Sequence, residues 1–297
     1  MSAFLKDFAD FVREKDYAVF RVAEMQGEHE PETVEIRPGA PCQNIYSVSK
    51  AFAVTAVGVL FDRGMLSPDD RVTNLLHEYL LPDMDPHWSE MTLDMVLRHH
   101  CGMKPNELDI DVFGFHGFGT DDFLSYLFSR KLAGHPAEHP AYTDAAYYLV
   151  SRIISAVTGE KMDDFLRREV LDPLGCGEVA FSKCPKGYPM GATGMYMSAA
   201  DMTRLGKLYL DGGRFRGKPI LSRAFVDRAL TAPYELSPHG DGYGKGGMNG
   251  QMLLYSREKR FAAAWTAYED DRNIRRLTEY VVSRAEYGFE TEESIQH

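Results

Sequence analysis

Residues 45–64 read IYSVSKAFAVTAVGVLFDRG. From Ala51 the run is almost wholly apolar or small, the composition of a buried helix, and Gly64 is a suitable helix C-cap. Two serines and a lysine stand at its mouth. Ser47 and Lys50 form an S-x-x-K pair, and residues i and i+3 share a helix face, so Lys50 reaches back toward Ser47. A serine at a helix N-terminus meets the positive end of the macrodipole, which favours a developing alkoxide. A lysine at that distance can serve as base for a hydroxyl that is otherwise a poor nucleophile. Ser49 lies beside Lys50 and faces elsewhere, so Ser47 is the candidate. The bland alternative is that Ser47 caps the helix and Lys50 runs out to water, and S-x-x-K alone does not separate the two.

The 297 residues suffice for one large domain or two intimately packed ones, and 44% hydrophobic with 26% charged residues is an ordinary globular composition. A net charge of -11 argues against nucleic acid or an anionic membrane as partner, since both need a basic face. The opening MSAFLKDFADFVREKD places Phe4, Leu5, Phe8, Phe11 and Val12 among charges, which reads as an amphipathic helix, not a signal peptide. No run approaches the roughly 18 apolar residues of a membrane span, and the expected location is cytoplasmic. Cys42, Cys101, Cys176 and Cys184 form no C-x-x-C pair and read as free, mostly buried thiols.

Along the chain, YAVFRVAEM (17–25) and TVEIRP read as a hairpin. TLDMVLRHH, DDFLSYLFSRKL and AAYYLVSRIISAVTG read as helices, the last with Ala146, Leu149, Val150, Ile153, Ile154 and Val157 on one face. QMLLYS and RFAAAWTAYE read as paired strands across a turn at Arg257 to Lys259. DRNIRRLTEYVVSRAEYGF reads as a closing amphipathic helix and ETEESIQH as a frayed end. Strands at both ends around a helical middle predict a mixed α+β fold with one antiparallel sheet built from both chain ends and flanked by helices. Residues 1–65 and 195–297 would form the sheet-bearing subdomain, and 66–194 a mostly helical insertion.

Two later segments change the weight of S-x-x-K. Tyr142-Thr143-Asp144 stands just before a helix, and Lys245-Gly246-Gly247 leads into a strand. With these three elements in this order, the chain resembles the serine β-lactamase and penicillin-binding-protein superfamily, and its class C-like, esterase-type branch with a Y-x-N second motif. MTLDMVLRHHCGM, GATGMYMSAADMTRLGKLYLDGGRFRGKPILS and GGMNGQ are similar to further segments of that branch, so the likeness spans about Gln43 to Glu269. The resemblance implies the β-lactamase/transpeptidase fold, with Ser47 the acylated nucleophile and Lys50 and Tyr142 sharing its proton. The Tyr142 phenol would be depressed by neighbouring cations. Lys245 would supply positive potential, and the N–H groups of Ser47 and Met248 would form the oxyanion hole, at about 3 kcal/mol per donor. Gly246 and Gly247 would let substrate approach the strand backbone.

The chain departs from the family at two positions. Asp144 replaces the usual asparagine and Gly246 the usual threonine. An ionised aspartate only accepts hydrogen bonds, so a donor to a substrate carbonyl is lost, and its charge should keep the lysines protonated. Asp144 also reads as the N-cap of the helix that follows. Glycine removes a hydroxyl that would help hold a substrate carboxylate. Both changes weigh against an efficient β-lactamase or cell-wall peptidase and toward an esterase or amidase acting on a small ester, amide or peptide-like substrate. The alternatives are a penicillin-binding sensor that acylates with little turnover and a degenerate scaffold. No cofactor is expected. His99–His100 and the His135/His139 pair suggest metal only weakly, because adjacent histidines rarely bind one ion and no cysteine or carboxylate lies at ligand spacing. The His99–His100 segment would instead brace the loop beneath the site. GKGG lacks the spacing of a phosphate loop.

Overall fold

A computed structural model describes residues 1–283. Its centre is a six-stranded antiparallel sheet in the order β2-β1-β11-β10-β9-β8. The strands are β1 (Val19–Met25), β2 (Glu32–Glu35), β8 (Ser237–His239), β9 (Gly242–Gly246), β10 (Met252–Ser256) and β11 (Phe261–Ala267). A second, three-stranded sheet joins β3 (Gln43–Asn44), β5 (Met195–Met197) and β4 (Ala180–Phe181), and β6 (Arg214–Phe215) with β7 (Lys218–Pro219) forms a short ribbon. Most of the residues between β3 and β5 lie in helices and loops. The expected mixed α+β architecture, with its sheet drawn from both ends of the chain, is therefore present.

Strand alternation sorts the sheet into two cores. Phe261, Ala263, Trp265 and Ala267 of β11 join a cluster with Phe4, Phe8 and Val12 of the N-terminal helix (Ala3–Glu14) and Leu277 and Val281 of the closing helix (Asp271–Ser283). Ala262 and Ala264 face the opposite, larger core. The alanines there are small for a reason. Helix Ala199–Leu210 lies against this face, and a Cβ on its Gly206 would come within 3.0 Å of Leu253 Cδ1. In β1, Val19 and Val22 share one face despite their odd spacing, because the register shifts between Val19 and Arg21.

The helix announced by IYSVSKAF differs in detail from its expected form. Tyr46–Val48 is a 3₁₀ turn and the α-helix runs Ser49–Asp62. Ser49 to Leu60 are all buried. Since i and i+3 eclipse in a 3₁₀ turn, Ser47 and Lys50 remain on one side. Ile45 N–H donates to Met195 O at 2.9 Å and Met195 N–H to Ser49 Oγ at 3.4 Å, so the second sheet holds the start of this helix in place. Ser49 thus has a structural partner of its own. Of the closing segment, residues beyond 283 and the tail ETEESIQH lie outside the described residues. None of the helices among the described residues is long and apolar enough to cross a membrane, and all four cysteines are free thiols.

Candidate active site

Four side chains predicted from three segments meet in one hydrogen-bonded group. Tyr142 Oη donates to Ser47 Oγ at 2.8 Å, Lys50 Nζ donates to Ser47 Oγ at 3.0 Å, and Lys245 Nζ reaches Tyr142 Oη at 3.3 Å. The two ammonium groups lie 4.7 and 5.0 Å from the centre of the Tyr142 ring, close enough for cation–π attraction. Ser47, Tyr142, Gly246, Gly247 and Met248 line one cleft of about 710 Å³, whose far wall is Ile274, Arg275 and Thr278 of the closing helix.

Each of these side chains is set by local structure. Lys245 lies opposite Leu253 of β10, and directly opposed residues share a sheet face, so its ammonium points into the larger core's side, toward Tyr142. Its motif is placed differently from the sequence reading. Lys245 and Gly246 end strand β9, and Gly247 opens a tight turn at Met248–Gly250 before β10. A Cβ on Gly247 would stand 2.4 Å from Ile45 O, so the turn packs directly on the segment that carries Ser47. Gly246 is under no such constraint, since a Cβ there would meet nothing closer than Met252 Sδ at 3.8 Å. Tyr142 is held through its backbone. Asn106 N–H donates to Tyr142 O at 3.1 Å, and the flanking Ala141 N–H donates to His99 O at 2.9 Å.

Asp144 is not the helix N-cap that the sequence suggested. Thr143 caps helix Asp144–Thr158, its Oγ1 accepting from Ala145 N–H at 3.3 Å. This leaves the Asp144 carboxylate to accept from Lys50 Nζ at 2.8 Å. Lys50 is fully buried and also donates to Ala192 O at 3.1 Å. Burial alone would lower its pKa, but Asp144, Tyr142 and Glu235 outweigh that and hold it above the ordinary lysine value. Lys50 is therefore an ammonium ion at any physiological pH.

Glu235 was not singled out from the sequence. It is buried and forms an ion pair with Lys245, and it accepts from His99 Nε2 at 2.6 Å. His99 Nδ1 accepts from Thr143 N–H at 3.3 Å, which assigns the ring proton to Nε2. Burial would raise the Glu235 carboxyl, but Lys245, the His99 hydrogen bond and Lys50 override it and hold it well below the usual carboxylate range. The His99 segment braces the site, and Glu235 is the anion it braces. In the cleft, burial and then Lys245 push His239 below its ordinary value, so its ring is neutral.

Backbone strain gathers at the same place. Tyr46, His99, Glu235 and Asn249 all have positive φ (47°, 60°, 64° and 59°). For non-glycine residues this costs of order 1–3 kcal/mol each and persists only where surrounding contacts enforce it. Tyr46 is held by its N–H bond to Asn44 Oδ1 at 2.9 Å. This bend immediately precedes Ser47.

The fold and this constellation define an architecture centred on a single serine. The chain belongs to the β-lactamase family, whose model matches residues 42–276. It is 26% identical to penicillin-binding protein 4 of Amycolatopsis lactamdurans over 197 residues, 56% of this chain and 50% of that one. The chain spans about half the length of the curated relatives it matches. Among solved structures it is similar to the D-amino acid amidase of Ochrobactrum anthropi SV3, with TM-score 0.70, 16% identity, and coverage of 94% of this chain and 99% of the other. It is also similar to the octameric penicillin-binding protein homologue of Pyrococcus abyssi, with TM-score 0.71, 19% identity, and coverage of 94% and 76%. These structural likenesses establish the shared fold.

Proposed function

We propose that this protein is a serine hydrolase that cleaves a small ester or amide through an acyl-enzyme on Ser47. The observation that carries the reading is the double approach of Tyr142 Oη and Lys50 Nζ to Ser47 Oγ, at 2.8 and 3.0 Å. Lys50, paired with Asp144, is already protonated and cannot take the serine proton. The base is then the Tyr142 oxygen, which lies between Ser47 Oγ and the Lys245 ammonium. Ser47 Oγ attacks the substrate carbonyl as its proton passes to Tyr142. The oxyanion is received by the N–H groups of Ser47 and Met248. Tyr142 gives the proton to the leaving alcohol or amine, then takes one from the water that attacks the acyl group and returns it to Ser47 Oγ as the acid departs. Lys245 and Glu235 form a fixed ion pair that orients the phenol throughout.

Two features favour esters and simple amides over β-lactams and cell-wall peptides. Asp144 presents only acceptors where an amide side chain would donate, and one of its oxygens is already taken by Lys50. Gly246 offers no hydroxyl to a substrate carboxylate. A family VIII carboxylesterase and a D-amino acid amidase share this fold. The test is p-nitrophenyl butyrate hydrolysis. Wild type should show a burst, Ser47→Ala should lose the burst and several orders of magnitude in turnover, and Tyr142→Phe should lose roughly 10²–10⁴-fold. A Ser47→Ala rate equal to wild type overturns the proposal. A stable mass adduct of penicillin on Ser47 with no ester turnover would make the protein a sensor instead.

A further inference from the structure

A cluster of potential metal ligands lies outside the cleft, assembled from parts of the chain that spacing could not connect. His87 and Glu90 stand three residues apart in the 3₁₀ helix Pro86–Glu90, where i and i+3 eclipse, so both side chains leave the same edge. His135 comes to them from a loop 45 positions later. His87 Nδ1 lies 2.8 Å from Glu90 Oε1, His135 Nδ1 lies 3.7 Å from Glu90 Oε2, and the two imidazole centres are 4.0 Å apart. One ligand atom from each of the three residues falls within 4.8 Å of the other two. Tetrahedral zinc with ligand bonds of about 2.0–2.2 Å needs ligand atoms roughly 3.3 Å apart, and these separations bracket that value.

The two segments are joined firmly. Asp85 accepts from His87 N–H at 3.0 Å with one oxygen and from Leu132 N–H at 3.1 Å with the other. Buried Trp88 packs edge-on against Phe128, and its Nε1 points to Arg130 O at 3.4 Å. The loop beyond Leu132 is hydrogen-bonded to the strained His99–Gly102 segment, through Ala133 N–H to Gly102 O at 2.7 Å and Ala137 N–H to His100 O at 2.9 Å. The ligands are thus preorganised on braced backbone while their side chains stay open to solvent.

We propose that His87, Glu90 and His135 form a surface site for a divalent transition metal of the zinc type, with solvent completing the tetrahedron. Two neutral imidazoles and one carboxylate suit zinc, cobalt(II) or nickel(II) and are poorly matched to calcium or magnesium, which take oxygen ligands. Binding through His87 Nδ1 replaces its hydrogen bond to Glu90 and leaves the ring hydrogen on Nε2. The site is independent of Ser47 chemistry.

The experiment is titration of tag-free, chelator-stripped full-length protein with ZnCl₂ in a calorimeter at mildly alkaline pH, with CoCl₂ as a visible-absorbance probe. Wild type should bind one metal per chain and give the intense cobalt bands of a four-coordinate site. His135→Ala and Glu90→Gln should each weaken binding by at least about 10-fold, and the His87→Ala/His135→Ala pair should abolish the cobalt bands. All three residues are at least partly exposed, and Glu90→Gln keeps the shape of its side chain, so thermal melts of the metal-free variants should match wild type. Ser47→Ala and Cys42→Ser should bind as wild type does, separating this site from the cleft and from the one partly exposed thiol. Unchanged affinity in the double variant, or no saturable binding by wild type at millimolar zinc, overturns the proposal.

Discussion

Replacing Asp144 by asparagine removes one charge from a fully buried pair while preserving shape. At 2.8 Å and an effective dielectric constant near 20, the Lys50–Asp144 attraction is about 6 kcal/mol. Breaking buried pairs by removing one partner costs about 3–5 kcal/mol, and that is the expected loss at neutral pH. For a chain of about 300 residues the unfolding entropy near 60 °C is roughly 0.6 kcal/mol/K, so Tm should fall by about 5–8 °C. The sign of the pH dependence follows from Lys50. In wild type its pKa is raised above the unfolded value, so its contribution is fully present below pH ~10 and lost only as pH climbs through the folded value. In Asp144→Asn the largest of the groups that oppose burial is gone, so the Lys50 pKa falls relative to wild type. The deficit is then greatest near neutrality and narrows as pH approaches the lysine range. Differential scanning fluorimetry at pH ~7 and ~10 measures the gap. A Tm within 1 °C of wild type, or an equal gap at both pH values, would refute the electrostatic account of this pair.

Glu235→Gln should destabilise by a comparable ~3–5 kcal/mol at neutral pH, since it leaves Lys245 without its counter-ion. The wild-type carboxyl is depressed, so its contribution is present above pH ~4.5 and lost as pH falls through the folded value; melts on acidification toward pH ~3 should show the two proteins converging. Gly246→Thr should fold with stability within about 0.5 kcal/mol of wild type, since a Cβ meets only Met252 Sδ, and should raise kcat/KM for carboxylate-bearing esters relative to neutral ones. Gly247→Ala should do the reverse, losing activity and stability together, because its Cβ collides with Ile45 O in the segment that carries Ser47.

Much of this arrangement was legible in the chain because motif spacing and strand alternation are local properties. The S-x-x-K pair survives either helix type, since i and i+3 meet in both, so the nucleophile reading did not depend on the 3₁₀ turn that replaced the first helical turn. The alternation in RFAAAWTAYE carries the sheet's two faces directly. What was hidden depends on neighbours distant in sequence. Thr143 and Asp144 are both cap-forming residues, and only the presence of buried Lys50 decides which one caps and which one pairs. Glu235 sits in PYELS with no motif around it, and its meaning comes from His99 and Lys245 arriving from two other segments. GYGKGG was too rich in glycine to read as a strand, although Lys245 lies in one. The proposed metal-ligand cluster was hidden for the same reason: only the fold brings His135 to His87 and Glu90.

The pairing of β1 with β11 also sets a schedule for the cell. Val22 and Trp265 are cross-strand partners 243 positions apart (265 − 22). At a synthesis rate of 5–20 residues per second, β1 leaves the ribosome roughly 10–50 s before its partner exists. Through that interval Phe4, Phe8, Val19 and Val22 lack the part of their core that β11 and the closing helix supply. The helical middle, rich in local contacts, can order in the meantime. The nascent protein is thus a folded centre trailing a sticky leading end, and its yield should depend on holdase chaperones and on translation speed across the last third of the message more than on the stability of the finished molecule.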